Sequence, residues 1–314
     1  MSGQNASECN VERTMQMLLI AQGPREWASS RLRAWNLADQ ADWIHCCTAK
    51  SVLDSDAKEL PFDYDVYVFQ KWMDAQTVRI AKQLRFLGKQ VWLDLADPLW
   101  WLEPHNFFRF LPHLTGIVVN TDAMQRALRE AGASHQAALP SIAVIPDRMP
   151  PDAFSQLRRH EPRTRPVCLW FGRAENRVGL QSMQLSLHYS ARMGQPLTLR
   201  IVDDGPARGV TTAGPVEYRP WQLHTFQQEL LDADVVLVPP YPGRWGELKS
   251  NNRSVTAWCA GIPTDDGWQP ERLLPLLRDA SLRARLGAEL RREAERHYRV
   301  AESIRDWHQL TGNR

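Results

Sequence analysis

Asp234-Val-Val-Leu-Val-Pro-Pro-Tyr-Pro-Gly-Arg-Trp-Gly-Glu-Leu-Lys-Ser-Asn-Asn-Arg-Ser-Val-Thr-Ala-Trp-Cys-Ala-Gly-Ile-Pro-Thr264 is the stretch whose reading decides the fold. Val235–Val238 is a short, unbroken apolar run, the mark of a strand buried on both faces. Pro239, Pro240 and Pro242 stop it, and Gly243–Glu247 reads as a loop. Ser250 or Asn251 then caps a helix that carries Val255, Ala257, Trp258 and Cys259 and ends at Gly261. Lys249, Ser250, Asn251, Asn252 and Arg253 therefore crowd a helix N-terminus at the carboxyl end of a strand. Free amides, the positive end of a helix dipole and two cations meet there, which suits a diphosphate.

Gly243–Ser250 nearly spells the phosphate loop Gly-x-x-x-x-Gly-Lys-Ser, but Leu248 sits where the second glycine must be. A leucine cannot cheaply take the backbone shape that cradles phosphates, and nothing nearby supplies a magnesium site. The NTPase reading is rejected. An ordinary capped helix with exposed polar residues also falls behind. Five consecutive polar residues occupy the one spot where an open α/β sheet binds ligands.

With 314 residues the chain is long enough for two full cores. Hydrophobic content of 43% and charged content of 24% are those of a globular protein. No run approaches the roughly 20 apolar residues of a membrane helix, and Met1–Arg13 lacks a signal peptide's apolar core. Of the five cysteines, Cys46, Cys47, Cys168 and Cys259 sit in apolar runs, and Cys9 lies in the polar N-terminal stretch. Buried thiols and a cytoplasmic compartment are expected. Residues 1–150 hold 15 Lys and Arg against 17 Asp and Glu, a net of −2, which is no nucleic-acid footprint. Among 13 tryptophans, Trp100, Trp101, Trp221 and Trp245 fall in or beside loops, where a ring can stack on a base or a sugar.

Apolar runs at Met15–Ala21, Trp43–Cys47, Val66–Gln70, Gln90–Leu95, Ile117–Asn120 and Ile142–Ile145 alternate with helical spacing in the first half. Ser29 and Ser30 are expected to cap a helix from Arg31 to Asp39. Asp74–Leu87 reads as a helix stopped by Gly88, and Thr121 or Asp122 caps another to Glu130. Met149–Pro166, with four prolines, is a linker. Strands at Val167–Phe171, Leu197–Val202 and Val235–Val238 then alternate with helices at Val178–Met193 and Thr225–Asp232, and Val216–Tyr218 leads to Trp221. Pro270–Leu310 reads as nearly all helical, with a solvated face of Arg285, Glu289, Arg292, Glu293 and Arg296. Alternation with short loops predicts parallel, doubly wound α/β sheets. No Gly-x-Gly-x-x-Gly follows either first strand, which weakens a dinucleotide reading.

Lys-Ser-Asn-Asn-Arg, the short helix and Ala260-Gly261-Ile262-Pro263 resemble the donor-binding segment of GT-B glycosyltransferases. In many of these a Glu-x7-Glu pair surrounds the helix. Here Thr256 holds the second position and Lys249 lies near the first, so the resemblance is to a divergent branch that uses Lys-Ser-x-Asn-Arg. Trp170–Asn176 and Trp92–Asp97 look similar to strand-and-loop segments of that family. The resemblance implies a GT-B fold: two Rossmann-like domains facing across a cleft, with a long C-terminal helix crossing back. The corresponding divisions are 14–150 for the acceptor domain, 165–295 for the donor domain and 296–312 for the crossing helix.

By the same resemblance the co-substrate is a nucleoside diphosphate sugar, with a UDP-sugar favoured, and no cofactor or metal is required. Lys249 and Arg253 would neutralise the leaving diphosphate while Ser250, Asn251 and Asn252 donate hydrogen bonds. Gly172, Arg173, Arg177 and Trp221 would complete the donor side; a solvated helix start is an equal reading for Arg177. Asp203-Asp204 and Asp265-Asp266 read as loop chemistry rather than metal ligands. Arg31, Lys71, Asp94 and Asp97 are the acceptor-side candidates. Asp97 is the better catalytic base, since Asp94 falls inside its strand; His105 and His113 follow as alternatives. The expected activity is hexose transfer to an acceptor hydroxyl on a glycan, a small molecule or a modified nucleic-acid base. A nucleotide-sugar epimerase or phosphorylase on this fold, or a non-catalytic sugar-nucleotide-binding protein, are the alternatives.

Overall fold

Short apolar runs set the strands of two parallel sheets in the computed structural model, which describes residues 15–54, 61, 63–150, 154–206, 210, 212–267 and 269–312. Met1–Arg13 with Cys9, the expected domain start at residue 14, and residues 151–153 of the expected linker lie outside the described residues. The first sheet contains β1 (Met17–Ala21), β2 (Ile44–Thr48), β3 (Val66–Gln70), β4 (Gln90–Leu95), β5 (Gly116–Val119) and β6 (Ser141–Val144). Its order is β2-β1-β3-β4-β5-β6. The second contains β7 (Val167–Phe171), β8 (Thr198–Asp203), β9 (Val216–Pro220), β10 (Val235–Leu237) and β11 (Thr264–Asp265), ordered β11-β10-β7-β8-β9. Helices cover both faces of each sheet, so β1, β3, β5, β7, β8 and β10 are buried along their whole length.

Strand order reverses direction between β1 and β3 in the first sheet and between β7 and β10 in the second. Those are the switch points at which loops splay apart and open α/β sheets take ligands. The loops that leave them carry Gln22–Arg31, Lys71, Gly172–Arg177 and Pro239–Asn252.

Two helix starts differ from the sequence reading. Ser29 and Ser30 lie within the first helical segment, 28–38, and do not cap it; Trp27 is the cap residue and makes no side-chain bond. The Ser30 hydroxyl instead accepts from Gly23 N at 3.1 Å and donates to Gln70 at 3.2 Å, tying two loops together. A π-helical turn spans Arg31–Trp35 inside this segment, a feature that often marks functional positions. Asp74 and Thr121 do cap their helices, through Thr77 N and Met124 N.

The C-terminal region is three helices, Pro270–Arg278, Ala280–His297 and Val300–Gly312, broken at Asp279 and at Tyr298-Arg299. The last lies against the first sheet. Val300 and Trp307 are buried with Met17, Leu19 and Trp92, and the Trp307 ring meets Trp92 edge-on at 6.0 Å. Gln90 Nε2 donates to Thr311 O at 2.8 Å, and Arg148 pairs with Asp306 at 2.5 Å. Cys168 and Cys259 are buried thiols, whereas Cys46 and Cys47 are only half-buried. All four are unpaired.

Candidate active site between the sheets

The segment 243–253 forms a seam between the two sheets. Gly243–Glu247 is not an open loop: Arg244–Glu247 winds into a helical turn. Leu248, which breaks the phosphate-loop pattern, is 5% exposed and packs into the core of the first sheet. Its carbonyl accepts from Thr121 Oγ1 at 3.2 Å. Around it Arg244 pairs with Glu130 at 2.8 Å and lies over Trp101, whose ring approaches Trp245 at 6.4 Å. Burying one leucine in a foreign core contributes on the order of 2 kcal/mol, more than any one surface ion pair here.

Anchoring Leu248 delivers its neighbour Lys249 to the first sheet's carboxyl edge. Lys249 Nζ donates to Asp97 Oδ1 at 2.7 Å, and Lys71 Nζ donates to Asp97 Oδ2 at 2.5 Å. Lys71 directly follows β3 with φ at +56°, a left-handed backbone that a lysine adopts only under constraint. Burial pushes the Asp97 carboxyl upward, but Lys71 and Lys249 outweigh it and hold Asp97 below the usual carboxylate range.

Asp94 does not face this space. It is 1% exposed, and both its oxygens accept from Arg33, the closest approach being 2.5 Å. As an ion-paired core residue it has no free lone pair pointing at a substrate, so its reading as a base is set aside. Arg33 also donates to Asp147 Oδ1 at 2.8 Å. Asp147 in turn accepts from Ser250 Oγ at 2.5 Å and from Asn252 Nδ2 at 3.4 Å. A hydroxyl has one proton, and Ser250 gives its own to Asp147, so it has none left for a phosphate. Asn251 donates to the Tyr298 hydroxyl at 2.8 Å.

The helix Asn252–Cys259 thus begins without the expected cap. Neither Ser250 nor Asn251 accepts from its first amides, which leaves those N–H groups open. Thr256 returns its hydroxyl to Asn252 O at 2.7 Å and adds nothing to the site. Arg253, half-buried, lies 6.0 Å over the Trp170 ring. Its NH1 is 4.0 Å from where a Cβ on Gly172 would stand. Arg253 makes no hydrogen bond or ion pair among the described residues, and burial lowers its pKa with no carboxylate to offset the effect. Desolvated cations are costly without an anion.

Arg31 comes from the first sheet's half and reaches Trp221 of the second. Its guanidinium lies 5.3 Å over the Trp221 ring and donates to Arg25 O at 2.9 Å. Burial pushes Arg31 down to about 10. Trp221 also lines an open pocket of about 260 Å³ with Asp203, Asp204, Gly205, Tyr218, Arg219 and Pro220. Arg177 shapes this pocket: it is paired with Asp203 and its NH1 donates to Pro206 O at 2.7 Å. A Cβ on Gly205 would stand 2.4 Å from Ala174, so the two loops meet this closely only because residue 205 is glycine. Arg173 is exposed beside Glu175 and Asp204. His105 is exposed on its helix, and Asp265 is buried in β11 as a turn-closing acceptor for Gly267 N.

The structure therefore gathers Asp97, Lys71 and Lys249 at one point, and Arg253 with Gly172 at another. Arg31 and Trp221 meet at a third. Arg173 and Arg177 belong to the pocket rim rather than to the seam. Sequence reasoning missed Arg33 and Asp147. Asp147 follows β6 at the carboxyl edge, the one signal that marked it; Arg33 left none. Among the described residues no group of three or more His, Cys, Asp or Glu is placed to hold a metal ion. No helix among them is long and apolar enough to cross a membrane.

No protein-family model and no curated protein sequence matches the chain. Solved structures match in fold. Anabaena HepE, solved with UDP and glucose, gives a TM-score of 0.66 at 12% identity, covering 96% of this chain and 100% of HepE. An alpha-glucosyltransferase, solved with UDP-glucose and DNA containing an abasic site, gives 0.68 at 9% identity over 95% and 99% of the two chains. Staphylococcal TarM gives 0.59 at 11% identity over 78% of this chain, which spans 54% of TarM's length. Two facing Rossmann-like sheets and these likenesses define the class: the chain has the GT-B glycosyltransferase fold.

Proposed function

We propose that this protein is a glycosyltransferase that moves a hexose from a nucleoside diphosphate sugar to an acceptor hydroxyl, with protein cations in place of a metal ion. The observation that carries this reading is Arg253. It is a desolvated guanidinium without a hydrogen-bond or ion-pair partner among the described residues, at an uncapped helix N-terminus and close to Gly172. A UDP-sugar is the favoured donor, in keeping with the UDP and UDP-glucose bound by the structural neighbours. The nucleobase would occupy the pocket at Tyr218 and Trp221, within reach of ring stacking.

In this reading the bond from the anomeric carbon to the diphosphate breaks, and its electron pair leaves with UDP. The acceptor oxygen bonds to the same carbon and gives up its proton. Lys249 moves from Asp97 to the diphosphate as negative charge develops there, and Arg253 engages it from the helix start. Release of Lys249 frees Asp97 Oδ1 to take the acceptor's proton. Lys71, still on Oδ2, keeps the carboxylate in place. A glycan, a small molecule or a modified nucleic-acid base remains open as acceptor.

Thermal melting with UDP and UDP-glucose tests the reading. A ligand that binds only the folded state at a hundredfold excess over Kd stabilises by about 2.7 kcal/mol. No rise in Tm at millimolar UDP, GDP, ADP, CDP or TDP would sink it. Binding without transfer to any acceptor or to water would instead leave a sugar-nucleotide-binding protein.

A further inference from the structure

We infer that Asp147 is a positioning residue of the donor site, acting through Ser250 and Asn252; the inference rests on the donor reading above. Asp147 is 4% exposed and stands at the carboxyl end of the first sheet, yet half of its hydrogen bonds go to the second. Oδ1 accepts from Arg33 at 2.8 Å. Oδ2 accepts from Ser250 at 2.5 Å, with Asn252 at 3.4 Å and Asn120 at 3.5 Å. Arg33 is itself fixed by three bonds to Asp94 and one to Ile145 O. The chain of contacts runs from a rigid buried ion pair to the two residues that flank the open helix start.

Charge explains why such a carboxylate is kept. One Arg33 serves two buried carboxylates, an arrangement that packing alone would not favour. The second carboxylate is turned toward the other half of the molecule. Oδ2 holds Ser250 and Asn252 on either side of Asn251, and so sets where the amides of the helix start and the Lys249 amine point. Precise donors for a diphosphate require that kind of second support, because an error of an ångström in a charged contact is costly to affinity. Ser250, which has no proton to offer a phosphate, is in this account an anchor for the loop and not a ligand.

With its oxygen on Arg33, an asparagine at 147 turns an amide toward Ser250 and Asn252, so the Ser250 bond reverses its direction and Asn252 loses its acceptor. The test is UDP binding by calorimetry to the wild type, Asp147→Asn, Ser250→Ala, the double variant and Asp147→Glu, with a melting curve for each. Positioning predicts that Asp147→Asn and Ser250→Ala each weaken UDP by roughly tenfold to a hundredfold, the range of one charge-assisted hydrogen bond. The double variant should lose no more than the worse single, since both break one link. Asp147→Glu, which keeps both acceptors, should recover part of the affinity; it also carries the test if Asp147→Asn does not fold. Folded Asp147→Asn that binds UDP as the wild type does, or losses that add fully in the double variant, overturn the proposal. A wild type that binds no UDP overturns the donor reading and this proposal with it.

Discussion

Leu32 and Leu248 are exchanged between the two halves of the molecule. Leu32, on the helical segment after β1, is buried in the core of the second sheet with Leu169 and Val236. Leu248, on the segment after β10, is buried in the core of the first with Trp100 and Leu95. Each leucine has a candidate cation as its chain neighbour, Arg31 and Lys249. Apolar burial, which is not directional but strong, thus carries in one cation expected on the acceptor side, Arg31, and one expected on the donor side, Lys249.

Leu248→Ala is expected to cost about 2–5 kcal/mol, as for a core leucine left with a cavity. Because the leucine also sets Lys249, UDP affinity should fall along with it. Urea unfolding and UDP titration measure the two. A variant with unchanged midpoint and unchanged affinity would show that the seam does not hold the site.

Asp97→Asn keeps the size of the side chain but cannot accept a proton. Transfer kcat should drop by roughly 10²–10⁴ while UDP affinity changes little. Normal turnover would pass the base role to another group, His105 or His113 being the histidine alternatives in sequence.

Arg253→Met removes the guanidinium that lies over Trp170 and keeps an unbranched apolar side chain. It should lower kcat/KM by about 2–4 kcal/mol, as should Lys249→Ala, and each should also weaken UDP. The two differ without ligand. Lys249 has a partner in Asp97 and Arg253 has none, so Arg253→Met should leave the ligand-free Tm unchanged or raised. A clear drop in that Tm would make Arg253 a structural residue.

The pH dependence follows from the direction of the Asp97 shift. Lys71 and Lys249 hold its carboxyl below the usual range, so the free protein keeps it ionised to lower pH than an ordinary aspartate of about 3.9. The acid limb of kcat/KM should therefore lie below about pH 4, with a plateau to neutrality. Any stability from this lowered carboxylate is present above the unfolded pKa and is lost as pH falls through the folded one. An acid limb near pH 6.5 would point to a histidine base.

Metal independence is checked by measuring transfer in excess EDTA and in added Mg²⁺. Equal rates are expected on the proposed mechanism, in which Lys249 and Arg253 would take the role of the ion. A strict need for Mg²⁺ or Mn²⁺ would direct attention to Asp203 and Asp204 and away from this mechanism.

The sequence by itself determined most of the strands, though not β11, their parallel sense in two halves, and the polar helix start at 249–253. Those features follow from local pattern: buried parallel strands must be apolar throughout, and prolines and glycines must end them. The resemblance to the GT-B fold rested on the same local segment, and the solved structures agree with it in fold. The cap at Thr121 was legible for the same reason, since a cap bonds an amide three residues on, whereas Asp74, read as the first helical residue, is the cap of its helix. Only the tertiary structure decided what Ser250, Leu248, Asp94 and Arg33 do. Ser250 and Asp147 are 103 positions apart, and Arg33 and Asp94 61 apart. A side chain's choice between capping its own helix and bonding a distant carboxylate depends on what the other sheet presents, and no local spacing encodes that. Leu248 read as a fault in a phosphate loop because its true partner, the core of the opposite sheet, is absent from any window of sequence around it.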